Sequence, residues 1–257
     1  MEFLAAYATD IGTTKKTNQD SLTLKVADTA LFGKVCFAVV CDGMGGLAKG
    51  ELASKTIVQA FEKWFYTDFP MLVQTGVEEN TLREQWNQMI QENNQKILAY
   101  GKQSGVNMGT TVTALLIYAD KYYIVHVGDC RAYEMTEQYM RQLTTDQTLV
   151  AQEVSRGVLT PEQALADPRR NVLLQCVGAS AKVVPDFVSG AAQANSVYLL
   201  CSDGFRHEIT DQEIFSAFYP PHMVQKETMQ YAAQYMVEVN KQRNEADNIT
   251  VVLIKTF

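Results

Sequence analysis

The chain has 257 residues, of which 47% are hydrophobic and 20% charged, with a formal net charge of −7. This composition carries enough apolar material for a substantial core and excludes wholesale disorder. The acidic balance, with no basic run longer than two residues, argues against a protein that binds nucleic-acid backbones.

The N-terminal MEFLAAYATD lacks a basic n-region, so no signal peptide is expected. The longest uninterrupted apolar run, 35–41, is far short of the roughly 20 residues of a membrane span. At about 150 residues per domain the length allows one large unit or two small ones. With no linker and no repeat, the sequence reads as a single domain over 1–257.

Residues 3–10 and 21–26 read as short strands joined by a polar turn. Residues 34–42 form a near-continuous, Val-rich apolar run, the mark of a buried strand. It ends in Asp42-Gly43-Met44-Gly45-Gly46. Ala53, Ile57, Ala60, Phe61 and Trp64 fall at helical spacing, and Leu82, Trp86, Met89, Ile90 and Ile97 stripe a second helix. Strands are expected over 110–118, 122–127, 131–135 and 139–143, and the short turns between them predict antiparallel hairpins. Thr160-Pro161 opens a small helix within an irregular stretch, 146–185. A strand over 197–201 precedes the capping box Thr210-Asp211-Gln212-Glu213. Met229, Ala232, Ala233, Met236 and Val239 stripe a last long helix, and 249–254 closes the chain as a strand. Blocks of strands and helices, in place of βαβ alternation, predict an α+β fold: two antiparallel sheets packed as a sandwich, with helix pairs outside (αββα).

Five aspartates share one feature. Asp20, Asp42, Asp129, Asp203 and Asp247 each lie at or just past the end of an apolar strand, and glycine adjoins three of them (Gly43, Gly128 and Gly204). A single Asp-Gly is usually only a turn. Five carboxylates on one rim repel each other unless a cation neutralises them. An all-oxygen set without His or Cys favours Mg²⁺ or Mn²⁺ over Zn²⁺.

With these residues in view, the chain resembles the metal-dependent protein serine/threonine phosphatases of the type 2C class, in their bacterial form. The matching stretches are Asp10-Ile11-Gly12-Thr13-Thr14-Lys15-Lys16-Thr17-Asn18-Gln19-Asp20, then Asp42-Gly43-Met44-Gly45-Gly46 with Gly50-Glu51. Next come Gly109-Thr110-Thr111, Val127-Gly128-Asp129-Cys130-Arg131 and Leu143-Thr144-Thr145-Asp146. Cys201-Ser202-Asp203-Gly204 and Asp247-Asn248-Ile249-Thr250 complete the ordered set.

The resemblance implies that Asp42 bridges two metal ions, Mn²⁺ or Mg²⁺, with Asp203 and Asp247 completing the shell of one. It implies that the Gly43 carbonyl binds the other, which Asp20 reaches through water. Asp129 matches a position that, with Asp203, holds a third metal. The stretch 146–185 matches a flap beside the active site. A hydroxide bridging the two metals would attack phosphorus in line, with no phosphoenzyme. Lys15 stands where the family carries an arginine for phosphate; it keeps the charge but loses the bidentate fork. Gln19 replaces an acid, Met44 replaces a histidine proposed elsewhere as general acid, and Gln147 replaces a histidine after Asp146.

Other residues read as structural. His126 lies inside an apolar strand, and His222 sits in a Pro-Pro-His loop. His207 lies near enough to Asp203 to approach the site. Arg131 pairs with a neighbouring aspartate or serves substrate binding. Five cysteines without CxxC spacing read as reduced, buried thiols in the cytoplasm. The sequon at Asn248 reads as chance. The leading expectation is a cytoplasmic, monomeric phosphatase acting on phosphoserine and phosphothreonine in the protein substrates of a bacterial Ser/Thr kinase. It is expected to engage neither nucleic acid nor membrane. The alternatives are a catalytically silent phosphatase-like module that binds phosphoproteins, and a metal phosphoesterase for small molecules or nucleic acid.

Overall fold

A computed structural model describes residues 1–29, 33–45 and 49–257. In chain order the elements are β1 (Phe3–Asp10), β2 (Ser21–Thr29), β3 (Gly33–Cys41), β4 (Gly43–Gly45), α1 (Gly50–Thr67), α2 (Phe69–Thr75) and α3 (Glu79–Ser104). Then come β5 (Met108–Thr110), β6 (Val112–Tyr118), β7 (Lys121–Val127), β8 (Arg131–Met135), β9 (Met140–Gln142), α4 (Leu149–Ser155) and α5 (Pro161–Ala166). The chain ends with β10 (Asp186–Ala191), β11 (Val197–Cys201), α6 (Asp203–Arg206), α7 (Asp211–Ala217), a 3₁₀ turn at Pro220–His222, α8 (Lys226–Gln242) and β12 (Ile249–Thr256).

Two five-stranded antiparallel sheets form, in the orders β1-β12-β11-β8-β9 and β10-β7-β6-β3-β2. The inner strands β3, β6, β11 and β12 are buried on both faces because both faces are covered. In β3 the alternate residues Cys36, Ala38 and Val40 pack into the layer between the sheets, against Leu200, Val252 and Ile254 of the opposite sheet. The other set, Val35, Phe37, Val39 and Cys41, packs outward on α1, α2 and α3. The opposite sheet repeats the pattern, with Leu199, Val251 and Leu253 facing Ile214, Met229, Ala233 and Met236 of α7 and α8. The period of two along each strand therefore builds three apolar layers, in the order helix, sheet, sheet, helix. The capping box expected at α7 forms between Thr210 and Glu213, and Thr160 at α5 is not only an N-cap but completes a second box with Gln163.

One expectation is corrected. β6 and β7 form a hairpin, and so do β8 and β9, but β7 does not pair with β8. The chain crosses there from one sheet to the other through Gly128, Asp129 and Cys130. Gly128 has φ +108°, and a Cβ on it would lie 2.5 Å from Thr111 Cγ2. The left-handed backbone and the close approach let the strand break and change sheets within three residues. No helix among the described residues is long and apolar enough to cross a membrane.

Candidate active site

The strand register gathers the five aspartates. β2 starts where β3 ends (Ser21 opposite Cys41), and β6 starts beside the same end (Thr113 opposite Val40). In the other sheet β11 ends at Cys201, opposite the start of β8 at Arg131, while β12 starts at Ile249 opposite Asp10. Asp20, Asp42, Asp129, Asp203 and Asp247 thus all lie at one rim of the sandwich. Asp20 and Asp42 come from one sheet, Asp203 and Asp247 from the other, and Asp129 from the crossover between them.

Neighbouring polar groups fix the rim. The Asp42 carbonyl accepts from Thr111 N (2.9 Å) and Thr110 Oγ1 (2.9 Å), and Asp42 N donates to Thr111 Oγ1 (2.8 Å). Gly43 packs backbone to backbone on Gly50: a Cβ on Gly43 would meet the Gly50 carbonyl at 2.3 Å. This contact explains the glycine that opens α1. The Gln19 amide, oriented to satisfy both groups, donates to Gly43 O and accepts from Gly50 N, each at 3.2 Å. Asp20 Oδ2 accepts from Ser202 Oγ (2.9 Å), a bond between the two sheets. Asn248 accepts from Gln19 N through Oδ1 (2.8 Å) and donates to the carbonyls of Ile11 and Thr17. Its amide is buried and fully used, which agrees with the sequon being chance.

The electrostatics are those of crowded acid groups. Burial, then the charges of Asp20, Asp203, Asp129 and Asp247, hold the Asp42 carboxyl well above the ordinary carboxylate range. Burial pushes Asp20 up to about 7 against the hydrogen bonds from Thr250 and Ser202, with Asp203 and Asp247 adding to the rise. Burial and the charge of Asp203 push Asp129 up to about 7, against the pull of Arg206. Oδ1 of Asp20 and Oδ1 of Asp203 are buried with no hydrogen-bond partner. Among the described residues, no three His, Cys, Asp or Glu side chains lie close enough to hold one ion alone. Desolvated, mutually repelling carboxylates with orphaned oxygens, in an all-oxygen set, still fit hard divalent cations that fill their remaining coordination with water and carbonyl oxygen.

Lys15 Nζ lies 2.7 Å from Asp247 Oδ1. Although partial burial pulls the other way, this contact and the nearby Asp42 and Asp203 hold its ammonium above the ordinary value. Gly46 lies outside the described residues. Arg131 does pair with an aspartate, but with Asp146, through two 2.8 Å bonds; Asp129 has Arg206 against its carbonyl at 3.2 Å. Gln147 Oε1 accepts from Gly128 N (2.9 Å), which locks the crossover. His126 is buried between Thr113 Oγ1 (2.9 Å) and the Thr145 carbonyl (3.1 Å), a structural role. All five cysteines are free and buried. Thr110, Thr111, Ser202 and Asn248 were visible beside the acids, but nothing in their spacing showed which one would grip which.

A cavity of about 290 Å³ opens beside Asp129, between Arg131, Asp146 and Arg206 on one side and α4 and α5 on the other. A larger cleft of about 600 Å³ between α1 and α3 is lined by none of the five aspartates, so volume alone does not mark the site.

Comparison with known proteins agrees with this fold. The family profile described as Protein phosphatase 2C matches residues 12–239. The serine/threonine phosphatase Stp of Listeria innocua is 31% identical over 220 residues, covering 84% of this chain and 83% of that protein. The structure of the S. agalactiae serine/threonine phosphatase superposes with a TM-score of 0.85 at 28% identity, covering 100% of both chains. The catalytic domain of PstP in complex with two manganese ions superposes with a TM-score of 0.77 at 27% identity, covering 99% of both chains.

Proposed function

The chain belongs to the protein phosphatase 2C family and is a serine/threonine protein phosphatase; from that premise we propose how its rim works. Asp42, Asp203 and Asp247 and the Gly43 carbonyl, with Asp20 acting through water, would hold two divalent metals, Asp42 being common to both. Asp129 and Asp203 would hold a third, weaker ion. When bound, Mn²⁺ or Mg²⁺ supplies positive charge for the phosphoryl oxygens and a water acidic enough to attack phosphorus at neutral pH.

The chain's own residues do the rest. Thr110 and Thr111 hold the Asp42 backbone so that its carboxylate stays at the seam of the two sheets. Ser202 orients Asp20 through Oδ2 and leaves Oδ1 for the metal-bound side. Lys15, on the exposed margin of the rim, trades its contact with Asp247 for a phosphoryl oxygen of the substrate. Met44 carries no proton to give, so the leaving serine or threonine oxygen takes its proton from water.

What carries this reading is the pair of buried, partnerless carboxylate oxygens, Asp20 Oδ1 and Asp203 Oδ1, brought to one rim from opposite sheets. We place a single domain over 1–257, with 146–185 as a flap, in a monomer that acts in the cytoplasm on substrates of a bacterial Ser/Thr kinase. Five free, buried thiols support a reducing compartment, and the net charge of −7 supports a protein rather than a nucleic-acid substrate. Phosphate release from a panel of phosphoserine and phosphothreonine peptides tests this, with Mn²⁺, with Mg²⁺ and in excess chelator. Turnover is expected only with metal, and undiminished turnover in chelator would overturn the mechanism.

A further inference from the structure

His207 follows α6 and stands one helical turn beyond Asp203. Its Nε2 lies 3.4 Å from Asp203 Oδ2 and its Nδ1 3.3 Å from Glu245 Oε2, and none of the three side chains is more than 11% exposed. Glu245 is in turn committed to the neighbouring strand entry. Its Oε1 accepts from Asp247 N at 2.8 Å, and its carbonyl accepts from Thr13 N (3.1 Å) and Thr13 Oγ1 (2.7 Å). A continuous line therefore runs from the Asp203 carboxylate through His207 and Glu245 to the backbone N–H of Asp247. It joins two aspartates that reach the rim from different strands, β11 and β12.

The two oxygens of Asp203 are unequal. Oδ2 faces the imidazole, while Oδ1 is buried with no partner. A carboxylate that must present one oxygen to a cation is held in place by a donor on the other, and such outer partners commonly set metal affinity.

We propose that His207, fixed by Glu245, is a positioning residue of the metal site: it backs Oδ2 of Asp203 and so presents Oδ1 to the ion, while Glu245 anchors the backbone of Asp247. The proposal rests on the reading of Asp203 and Asp247 as metal ligands. The rival role is that of a counter-charge, which merely offsets the negative charge of Asp203. The two roles differ in sign. Removing a counter-charge leaves Asp203 more available and leaves divalent-ion affinity unchanged or tighter. Removing a positioning donor weakens it.

The full chain, stripped of metal and titrated with Mn²⁺ by calorimetry, separates them. His207→Met keeps the side-chain volume but removes both ring nitrogens. His207→Gln restores a donor near the place of Nε2. His207→Met should weaken Mn²⁺ binding about 10- to 100-fold, and His207→Gln should recover most of that loss. The melting temperature of each metal-free variant confirms that it is folded at the titration temperature. Wild-type or tighter affinity in His207→Met overturns the proposal, as does a His207→Gln variant no better than His207→Met. A wild-type chain that binds no Mn²⁺ overturns the metal reading of the rim together with this one, whereas wild-type binding with indifferent variants overturns this one alone.

Discussion

Asp42 faces the charges of Asp20, Asp203, Asp129 and Asp247. In the proposed site it is the group both metals would share. Loss of an outer partner of a metal ligand already costs about 10- to 100-fold, so Asp42→Asn should lose about 100-fold or more in turnover at saturating Mn²⁺; phosphopeptide turnover near wild type would remove Asp42 from the centre. Lys15 is a finer case, because its ammonium is already engaged with Asp247. A charge-assisted contact contributes about 1.5–3 kcal/mol, so Lys15→Ala should lower kcat/KM by roughly 10- to 150-fold, and Lys15→Arg should retain most of it. Unchanged kcat/KM in Lys15→Ala would mean that the lysine serves Asp247 only. The acids themselves were legible in the sequence because strand ends are legible. Their holders were not: Ser202 meets Asp20 across 182 positions of chain, and Asn248 meets Gln19 across 229. Pairing at such separation is decided by how sheets stack, which no local pattern encodes.

The crossover from β7 to β8 shows the same limit at the scale of the element. A short Gly-containing turn between two apolar strands reads as a hairpin, and the first and last of the three connections in that block are hairpins as expected, while the middle one changes sheets. The reason lies in Gly128, whose missing Cβ admits Thr111, and Thr111 belongs to a different strand junction. Gly128→Ala should destabilise the protein by about 2–4 kcal/mol, combining a strained left-handed residue with an overpacked contact, and a melting temperature within a degree of wild type would contradict the strain. Asp129, the next residue, calls for a different measurement. If it holds a third ion, Asp129→Ala should keep two tight Mn²⁺ by calorimetry yet lose most of its turnover. Full specific activity at saturating Mn²⁺ would rule that role out. Among the elements, β3, β6, β11 and β12 were readable because both of their faces are largely apolar. α2 lies just after α1 and was not separated from it, and β10, a half-exposed edge strand, lacks a continuous apolar run.

For the whole molecule, the raised carboxyls of Asp20 and Asp129 set a pH dependence with a definite sign. Their folded-state values of about 7 lie above the ordinary 3.8, so the stability they contribute is fully present below about pH 4 and is lost as pH rises toward 7. Burial pulls His207 down, but Glu245 and Asp203 hold it above 6.5, and it acts in the same direction. Asp146 acts oppositely: burial pushes it up, but Arg131 and Arg206 hold it below 3.8, so its contribution disappears only as pH falls through that lowered value. In chelator the melting temperature should fall as pH rises from about 5 to about 8, and saturating Mn²⁺ should flatten the curve; a chelated protein that gains stability over that interval would contradict the burial of these acids. The seam between the sheets has a mechanical consequence as well. Asp20 and Asp42 hang from one sheet and Asp203 and Asp247 from the other, so ions held as proposed would act as a rivet that ties the two halves of the sandwich at this end. The opposite end, where β11 begins at Val197 and β12 finishes at Thr256, carries none of the five aspartates and is joined by the ion pair of Lys34 with Glu2, which needs no metal. Amide hydrogen exchange should accordingly slow on Mn²⁺ addition at Cys41, Cys201 and Ile249, and stay nearly unchanged at Val35, Val197 and Lys255, so that the loaded protein opens from its unriveted edge like a hinged case.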